Sequence, residues 1–363
     1  MERLIEECGL EGANTVATLG VKHSLKEIGE DGELPARLHT PFRGAAARGN
    51  YLAADRVDIQ FACKEVCRTM SSPTEQSWKA LKRISRYLGG RPRLVYMYPY
   101  QEVTHIDTYV DTDWAGCPKT RKSTSGGSIM LGRHLIKHWS STQPSLSLSS
   151  GEAEFYGVVR GTGQGLGYQS LLRDMGLELP LRLWTDSSAA LGICSRQGLG
   201  KLRHIDTHTL WAQQAVRSGR VAVKKIPGER NPADLLTKHG MSADRIRTLV
   251  ELHGGRYREG RPACAPQKKN GATGKTKISE ADHLCEIGMK GLSDVEASPI
   301  MPHLTLEEEE LEASYPSLQA VDDIPLDDLT RLEDDQLHNA GMKVVQEILE
   351  QMATEGRVRE HSA

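Results

Sequence analysis

The chain has 363 residues, 38% of them hydrophobic, with three Phe, seven Cys and a formal net charge of −2. That length allows roughly two domains. No apolar run reaches the roughly 18 residues of a membrane span, and the N-terminus lacks the apolar core of a signal peptide. The expectation is an intracellular protein, cytoplasmic or nuclear, with no membrane partner. The cysteines are scattered and form no CxxC pair, which argues against a zinc ribbon or a dithiol redox site.

Residues 1–50 carry little pattern; Leu4 to Cys8 suits a helical turn, and residues 32–48 read as loop. Residues 56–70 place Ile59, Ala62, Val66 and Met70 on one helical face. Ser72-Pro73-Thr74-Glu75 reads as a helix start, with Ser72 as cap and Glu75 as its capping-box partner. That helix runs to Leu88 and stops at Gly89-Gly90. Its apolar stripe is Trp78, Leu81, Ile84 and Leu88, and Lys79, Lys82, Arg83 and Arg86 crowd the other side. Those four cations are candidate contacts to nucleic-acid phosphates; a solvated face is the plainer reading.

Three strands follow, over 104–111, 126–131 and 134–140, the last two joined by a Gly132-Arg133 turn. Ser149 with Glu152 suits a capping box for a helix over 150–175. That helix holds Gly157, Gly161, Gly163, Gly165 and Gly167, each costing about 1 kcal/mol relative to Ala. It is therefore weakened, kinked or packed tightly on a sheet. A fourth strand at 181–185 ends at Asp186, followed by helices over 187–194 and 204–217 and a fifth strand over 221–226. Asn231 caps a helix with Asp234 in its first turn, and a last helix covers 242–253. Residues 256–277 read as a flexible basic linker and 307–335 as a disordered acidic segment, with a possible short helix over 342–352.

Carboxylates recur at element ends: Asp111 after the first strand, Glu154 early in the long helix, Asp186 after the fourth strand, and Asp234. Two divalent ions about 3.5–4 Å apart need several carboxylates supplied by different elements, and Mg²⁺ prefers oxygen ligands. Without cations such a cluster repels itself and its pKa values rise. Asp113 competes with Asp111, because alternate strand residues face the same way. Glu152 competes with Glu154, but its capping role leaves Glu154 as the ligand choice. His204 and His208 have a zinc-like i, i+4 spacing, yet no further Cys or His stands at ligand spacing.

Several ordered motifs extend these residues: Tyr109-Val110-Asp111-Thr112-Asp113-Trp114-Ala115-Gly116, Arg121 to Gly127, Trp139-Ser140-Ser141, Leu148 to Tyr156, Leu183 to Ser187, Arg203-His204-Ile205-Asp206 and Asn231 to Lys238. Together they resemble the ribonuclease H domain of copia-type LTR retrotransposon Pol polyproteins. Tyr51-Leu52, Arg56 to Ile59, Ser72 to Glu75 and Leu81 to Leu88 resemble the segment that joins reverse transcriptase to ribonuclease H there. The resemblance covers about residues 51–240. It departs from the family at Thr207 and His208, where Arg or Lys usually follows His-Ile-Asp, and in the glycines of the long helix.

The resemblance implies an α/β fold, a ribonuclease H-like mixed five-stranded sheet flanked by helices. The implied organisation is a partial connection segment over 1–94, a ribonuclease H-like domain over 95–255, and a flexible linker with an acidic disordered tail over 256–363. It also implies two-metal hydrolysis, with Mg²⁺ or Mn²⁺, of the RNA strand of RNA–DNA hybrids. Asp111, Glu154, Asp186 and Asp234 then match the catalytic carboxylates and metal ligands, with Asp113 and His204 as supporting candidates. No Tyr-x-Asp-Asp hairpin precedes residue 95, so polymerase activity is not expected. The rival reading is a catalytically silent transposon relic or a co-opted nucleic-acid-binding module. A third expectation is a protein partner for the acidic tail.

Overall fold

The computed structural model describes residues 1–20, 31–205, 207–262 and 265. The expected acidic segment and the helix over 342–352 lie outside the described residues. Among the described residues no helix is long and apolar enough to cross a membrane.

The N-terminal part is helical: α1 (Glu2–Glu7), α2 (His39–Leu52), α3 (Gln60–Cys67) and α4 (Glu75–Gly90). Helix α2 replaces the loop expected over 32–48. Its sequence offers few large apolar residues, so periodicity misses it; only Phe42, Ala45, Ala46 and Gly49 turn inward. Helix α4 is capped by Thr74 rather than Ser72, with Ser77 completing the reciprocal pair. Leu4, Phe42, Ile59, Leu81, Ile84, Tyr87 and Leu88 form the core of this part.

Strand β1 (Arg93–Tyr96) pairs antiparallel with β7 (Gly255–Arg258) in a two-stranded sheet. The sequence reading missed both strands and began a flexible linker at residue 256. Four residues without alternation give no strand signal; their pairing comes from tertiary contact. Beneath them lies a buried polar cluster. The Arg56 guanidinium donates to both Asp58 oxygens at 2.8 and 2.9 Å. The Tyr87 and Tyr257 hydroxyls donate to Asp58 Oδ2 at 2.9 and 3.2 Å. An Asp stripped of water needs such partners, and removing one member of a buried pair costs about 3–5 kcal/mol.

The main sheet consists of β2 (Ile106–Asp113), β3 (Thr124–Leu131), β4 (His134–Thr142), β5 (Leu181–Thr185) and β6 (Val221–Lys225), in spatial order β4-β3-β2-β5-β6. β2, β3 and β4 run antiparallel, whereas β5 lies parallel to β2 and β6 parallel to β5. This is the mixed five-stranded sheet flanked by helices that the resemblance implies. The chain passes from β4 to β5 through the long helix α5 (Ser150–Asp174), capped by Ser149. The helices α6 (Ser188–Ser195) and α7 (Trp211–Arg217) follow, and α8 (Ala243–Leu252) precedes β7. His204 is not on the helix expected over 204–217; that region is a 3-10 turn, Thr207–Leu210, leading into α7. The segment after Asn231 is likewise a 3-10 turn, Pro232–Leu236, rather than an α-helix.

The glycines of α5 divide by face. A Cβ on Gly157 would lie 2.5 Å from Thr112 Oγ1, one on Gly161 2.4 Å from Val110 Cγ1, and one on Gly165 2.8 Å from Leu181 Cδ1. These three, one turn apart, let the helix settle directly onto β2 and β5. Gly167 has nothing within 4 Å of a built Cβ. Gly161→Ala is expected to destabilise the fold by about 1–3 kcal/mol through overpacking. Gly167→Ala should stabilise it by about 0.5–1 kcal/mol through helix propensity. Urea unfolding of the two variants checks the opposite signs.

Candidate active site

Strand alternation decides what each face of β2 does. Thr108, Val110 and Thr112 meet the glycines of α5, so Asp107, Tyr109, Asp111 and Asp113 belong to the opposite face. The β2–β5 register pairs Tyr109 with Trp184, and its continuation sets Asp111 level with Asp186. Both acids thus stand at the carboxyl ends of adjacent parallel strands, where crevices form in open α/β sheets.

The third carboxylate arrives on the 3-10 turn Pro232–Leu236. Asn231, fully buried, fixes this turn twice: its side-chain oxygen accepts from Ala233 N at 3.2 Å, and its Nδ2 donates to Val110 O at 2.9 Å. The close approach depends on Gly126, which pairs with Asp111. A Cβ there would lie 2.6 Å from Thr237 Cγ2 and 2.7 Å from Leu236 Cβ. The result is a cluster of Asp111, Asp186 and Asp234, each offering one oxygen, all within 4.8 Å of one another.

Glu154, on the second turn of α5, stands within electrostatic reach of Asp111 and Asp186. Burial, then Asp111 and Asp186, push its pKa up to about 9. Its Oε2 is buried and has no hydrogen-bond partner. Asp111 is raised to about 6, chiefly by burial, with Asp234 and Asp186 adding and Lys238 and the Thr237 hydroxyl partly offsetting. Asp186 is also raised, first by burial. Orphaned, mutually repelling oxygens of this kind fit a hard divalent cation, which supplies the missing charge to oxygen ligands.

Two protein cations bond directly to Asp234, and Lys225 also acts on Asp186. Lys238 Nζ lies 2.5 Å from Asp234 Oδ1 and 4.0 Å from Asp111 Oδ1. Burial works against this ammonium, yet Asp111, Asp234 and Asp186 outweigh it and raise its pKa. Arg245 donates to Asp234 Oδ2 at 2.9 Å and to the carbonyls of Glu229 and Gly228. The Thr237 hydroxyl donates to Asp111 Oδ2. Sequence reasoning named none of Thr237, Lys238 and Arg245 as site residues. The Asp234–Lys238 i, i+4 spacing was a readable signal; Arg245 comes from another helix and left none.

The remaining candidates sit apart from the cluster. The Asp113 carboxylate packs against the turn at Gly116, where any Cβ would collide with it. Glu152 caps differently from the expected reciprocal box: Ser149 Oγ accepts from Glu152 N, but the Glu152 carboxylate takes Leu148 N and His204 Nε2, both at 2.9 Å. His204 is therefore tied to the first turn of α5. On α4, Arg83 donates to Thr18 and Arg86 to the carbonyl of Asn14. Those two arginines tether the N-terminal segment, and Lys82 lies over the Trp78 ring. Of the four, Lys79 alone is exposed, and the other three are partly buried.

Comparison with known proteins agrees with the motifs. The chain is 31% identical over 202 residues to the retrovirus-related Pol polyprotein from transposon RE2 of Arabidopsis thaliana. It is 32% identical over 202 residues to that from transposon RE1 of the same plant. It is homologous to copia-type retrotransposon Pol polyproteins. The matched part is 55% of this chain and spans 14% of the length of each of these two relatives. No family model matches. Among solved structures, LC11-RNase H1, isolated from compost by a metagenomic approach, is 18% identical, with a TM-score of 0.28, over 37% of this chain and 93% of its own.

The raised carboxylates set a pH dependence. An acid whose folded pKa exceeds its unfolded value weakens the fold as it ionises. For Asp111 this penalty is absent below its unfolded pKa of about 4, grows to about pH 6 and is complete above it. In chelator-treated protein, Asp111→Asn should therefore raise the melting temperature at pH 8 by the equivalent of about 1–3 kcal/mol and change it little at pH 4. Saturating Mg²⁺ should abolish that advantage. An effect of equal size at both pH values would contradict the electrostatic origin.

Proposed function

We propose that this chain hydrolyses the RNA strand of RNA–DNA hybrids with a divalent cation, Mg²⁺ or Mn²⁺, as a Pol-derived ribonuclease of the H type. The observation that carries the reading is the cluster of three carboxylates within 4.8 Å, two at the ends of parallel strands and one on the 3-10 turn, beside the partnerless Glu154 oxygen. The homology to transposon Pol polyproteins supplies the context in which an RNA–DNA hybrid is the natural substrate.

Asp111, Asp186, Asp234 and Glu154 are the residues that would hold the cations. Two bound divalent ions supply an activated water and charge stabilisation for the leaving oxygen. The protein's own groups do the positioning. Thr237 and Gly126 fix Asp111 against the 3-10 turn. Arg245 occupies one oxygen of Asp234 and Lys238 the other, which sets the carboxylate plane. Lys238, with its side chain 45% exposed, also presents positive charge at the mouth of the cluster, where a phosphate approaches. Glu154, raised to about 9, carries a proton at neutral pH in the cation-free protein and releases it when a cation takes the site.

The test is cleavage of a 5′-labelled RNA–DNA hybrid by the full chain with Mg²⁺ or Mn²⁺. Cutting confined to the RNA strand is expected, with losses on the order of 100-fold or more in Asp111→Asn and Asp186→Asn. A protein that binds the hybrid but never cuts it would establish the binding-module reading instead. Cutting that survives both substitutions would place the chemistry elsewhere.

A further inference from the structure

Three large apolar side chains stand exposed on the segments that follow β2 and precede α5, the elements that carry Asp111 and Glu154. Trp114 is 46% exposed, Leu146 55% and Leu148 71%. Trp114 follows the end of β2 directly, three residues after Asp111. Its indole Nε1 donates to Ser147 O at 3.0 Å, which lays the ring along the 146–148 segment. That bond sets Trp114 against the segment carrying Leu146 and Leu148, and exposed apolar side chains gathered next to a polar cleft mark a binding region.

This surface is held rigidly. Ser147 Oγ donates to Gln143 Oε1 at 3.0 Å, and Gln143 Nε2 donates to Ser125 Oγ at 2.9 Å and to Ala153 O at 2.8 Å. The chain of bonds is buried and runs to β3 and to the first turn of α5. Leu148 N donates to the Glu152 carboxylate at 2.9 Å. On the other side, Ala115 adopts a left-handed conformation with φ 52°, and its N–H donates to Ser123 Oγ at 3.0 Å. A non-glycine residue held there is strained unless its surroundings impose it. A buried scaffold of this extent, ending in an exposed indole, is preorganisation of a contact surface.

Charge decides the occupant. The loop after Trp114 carries Arg121 and Lys122, both at least partly exposed, and Lys119, which pairs with Asp31 at 3.6 Å. A flat aromatic surface bordered by cations and adjoining a carboxylate cluster suits a nucleic-acid strand, whose bases and sugars stack while its phosphates meet the cations. A protein partner would have no need of the neighbouring acids. We propose that Trp114, Leu146 and Leu148 form a ledge that receives sugar and base faces of the strand bound at the acidic cluster, and that Trp114 is the principal contact. The proposal rests on the hybrid-cleaving reading above and deepens it by naming a substrate-binding surface.

The test uses the full chain with Trp114→Ala, Trp114→Phe and Leu148→Ser. Hybrid affinity by fluorescence polarisation, KM and kcat are read together, with melting temperature recorded for each variant. Trp114→Ala should raise Kd and KM about tenfold, as expected for loss of one stacking contact. Its kcat should stay within about twofold, since uniform binding is lost rather than chemistry. Trp114→Phe, which loses the bond to Ser147 but keeps an aromatic face, should restore most of the affinity. Leu148→Ser, which leaves every hydrogen bond in place, should weaken binding in the same direction. The Trp114→Ala loss should be the same at low and high salt, unlike losses of phosphate contacts.

Unchanged Kd and KM in Trp114→Ala and Leu148→Ser would overturn the ledge, as would a change in oligomeric state in place of hybrid affinity. The cleavage reading fails separately. If the wild-type chain binds hybrid without cutting and Trp114→Ala weakens that binding, the ledge stands and the nuclease falls. If the wild-type chain neither binds nor cuts, both fall.

Discussion

The mutual repulsion of carboxylates is the constraint on which the rest of this structure depends. Asp111, Asp186 and Asp234 are brought within 4.8 Å, with Glu154 beside them, and burial makes each uncompensated charge more expensive. Nothing in the local chain favours this. It is imposed by strong packing elsewhere: α5 sinks onto β2 through Gly157, Gly161 and Gly165, and the 3-10 turn sinks onto β3 over Gly126. Asn231 adds the hydrogen bond that ties this turn to β2. Lys238 and Arg245 relieve Asp234, but Glu154 Oε2 is left without a partner. The burden shows as raised pKa values at Asp111, Asp186 and Glu154.

The helical N-terminal part is bonded into this arrangement. Lys64 of α3 donates to Thr124 Oγ1 at 2.8 Å at the start of β3, and the Phe61 ring packs edge-on against His239, next to Lys238. Arg68 of the following turn reaches Cys117 Sγ at 2.9 Å, in the loop after Trp114. Helix α3 thus braces both the segment that carries Lys238 and the loop that follows Trp114. At the other end, Asp58, Tyr87 and Tyr257 join α4 to β7, and β7 pairs with β1. Cuts at residues 94 and 255 would divide that two-stranded sheet and strip partners from a buried carboxylate.

Most of the sheet was legible because its strands carry strong local signals. The Gly132-Arg133 turn, the Ser149 cap and the runs ending at Asp111 and Asp186 each have a physical cause readable in a few residues. The 3-10 turn at Asp234 was read as an α-helix because Asn-Pro suits either start; its shortness follows from packing against β3. Helix α2 was invisible because small residues bury it without a stripe. Strands β1 and β7 exist only by pairing across the chain's length. The acids were readable as candidates because several of them recur at element ends within ordered motifs, although a single Asp at a strand end has ordinary turn-forming uses. Their neighbours Thr237 and Arg245 act through contacts that no spacing announces. The five glycines of α5, a departure in sequence, prove in part to be the means by which Glu154 reaches the cluster.

The most direct measurement is Mn²⁺ binding to the full chain, followed by calorimetry in buffers of different ionisation enthalpy. The account predicts cation uptake with proton release at neutral pH, because Glu154 stays protonated until a cation arrives. Both the binding and the released protons should diminish sharply in Asp111→Asn and Asp186→Asn. Binding of equal strength in the wild-type chain and in both variants, or no binding at all, would contradict the claim that these carboxylates form a cation site.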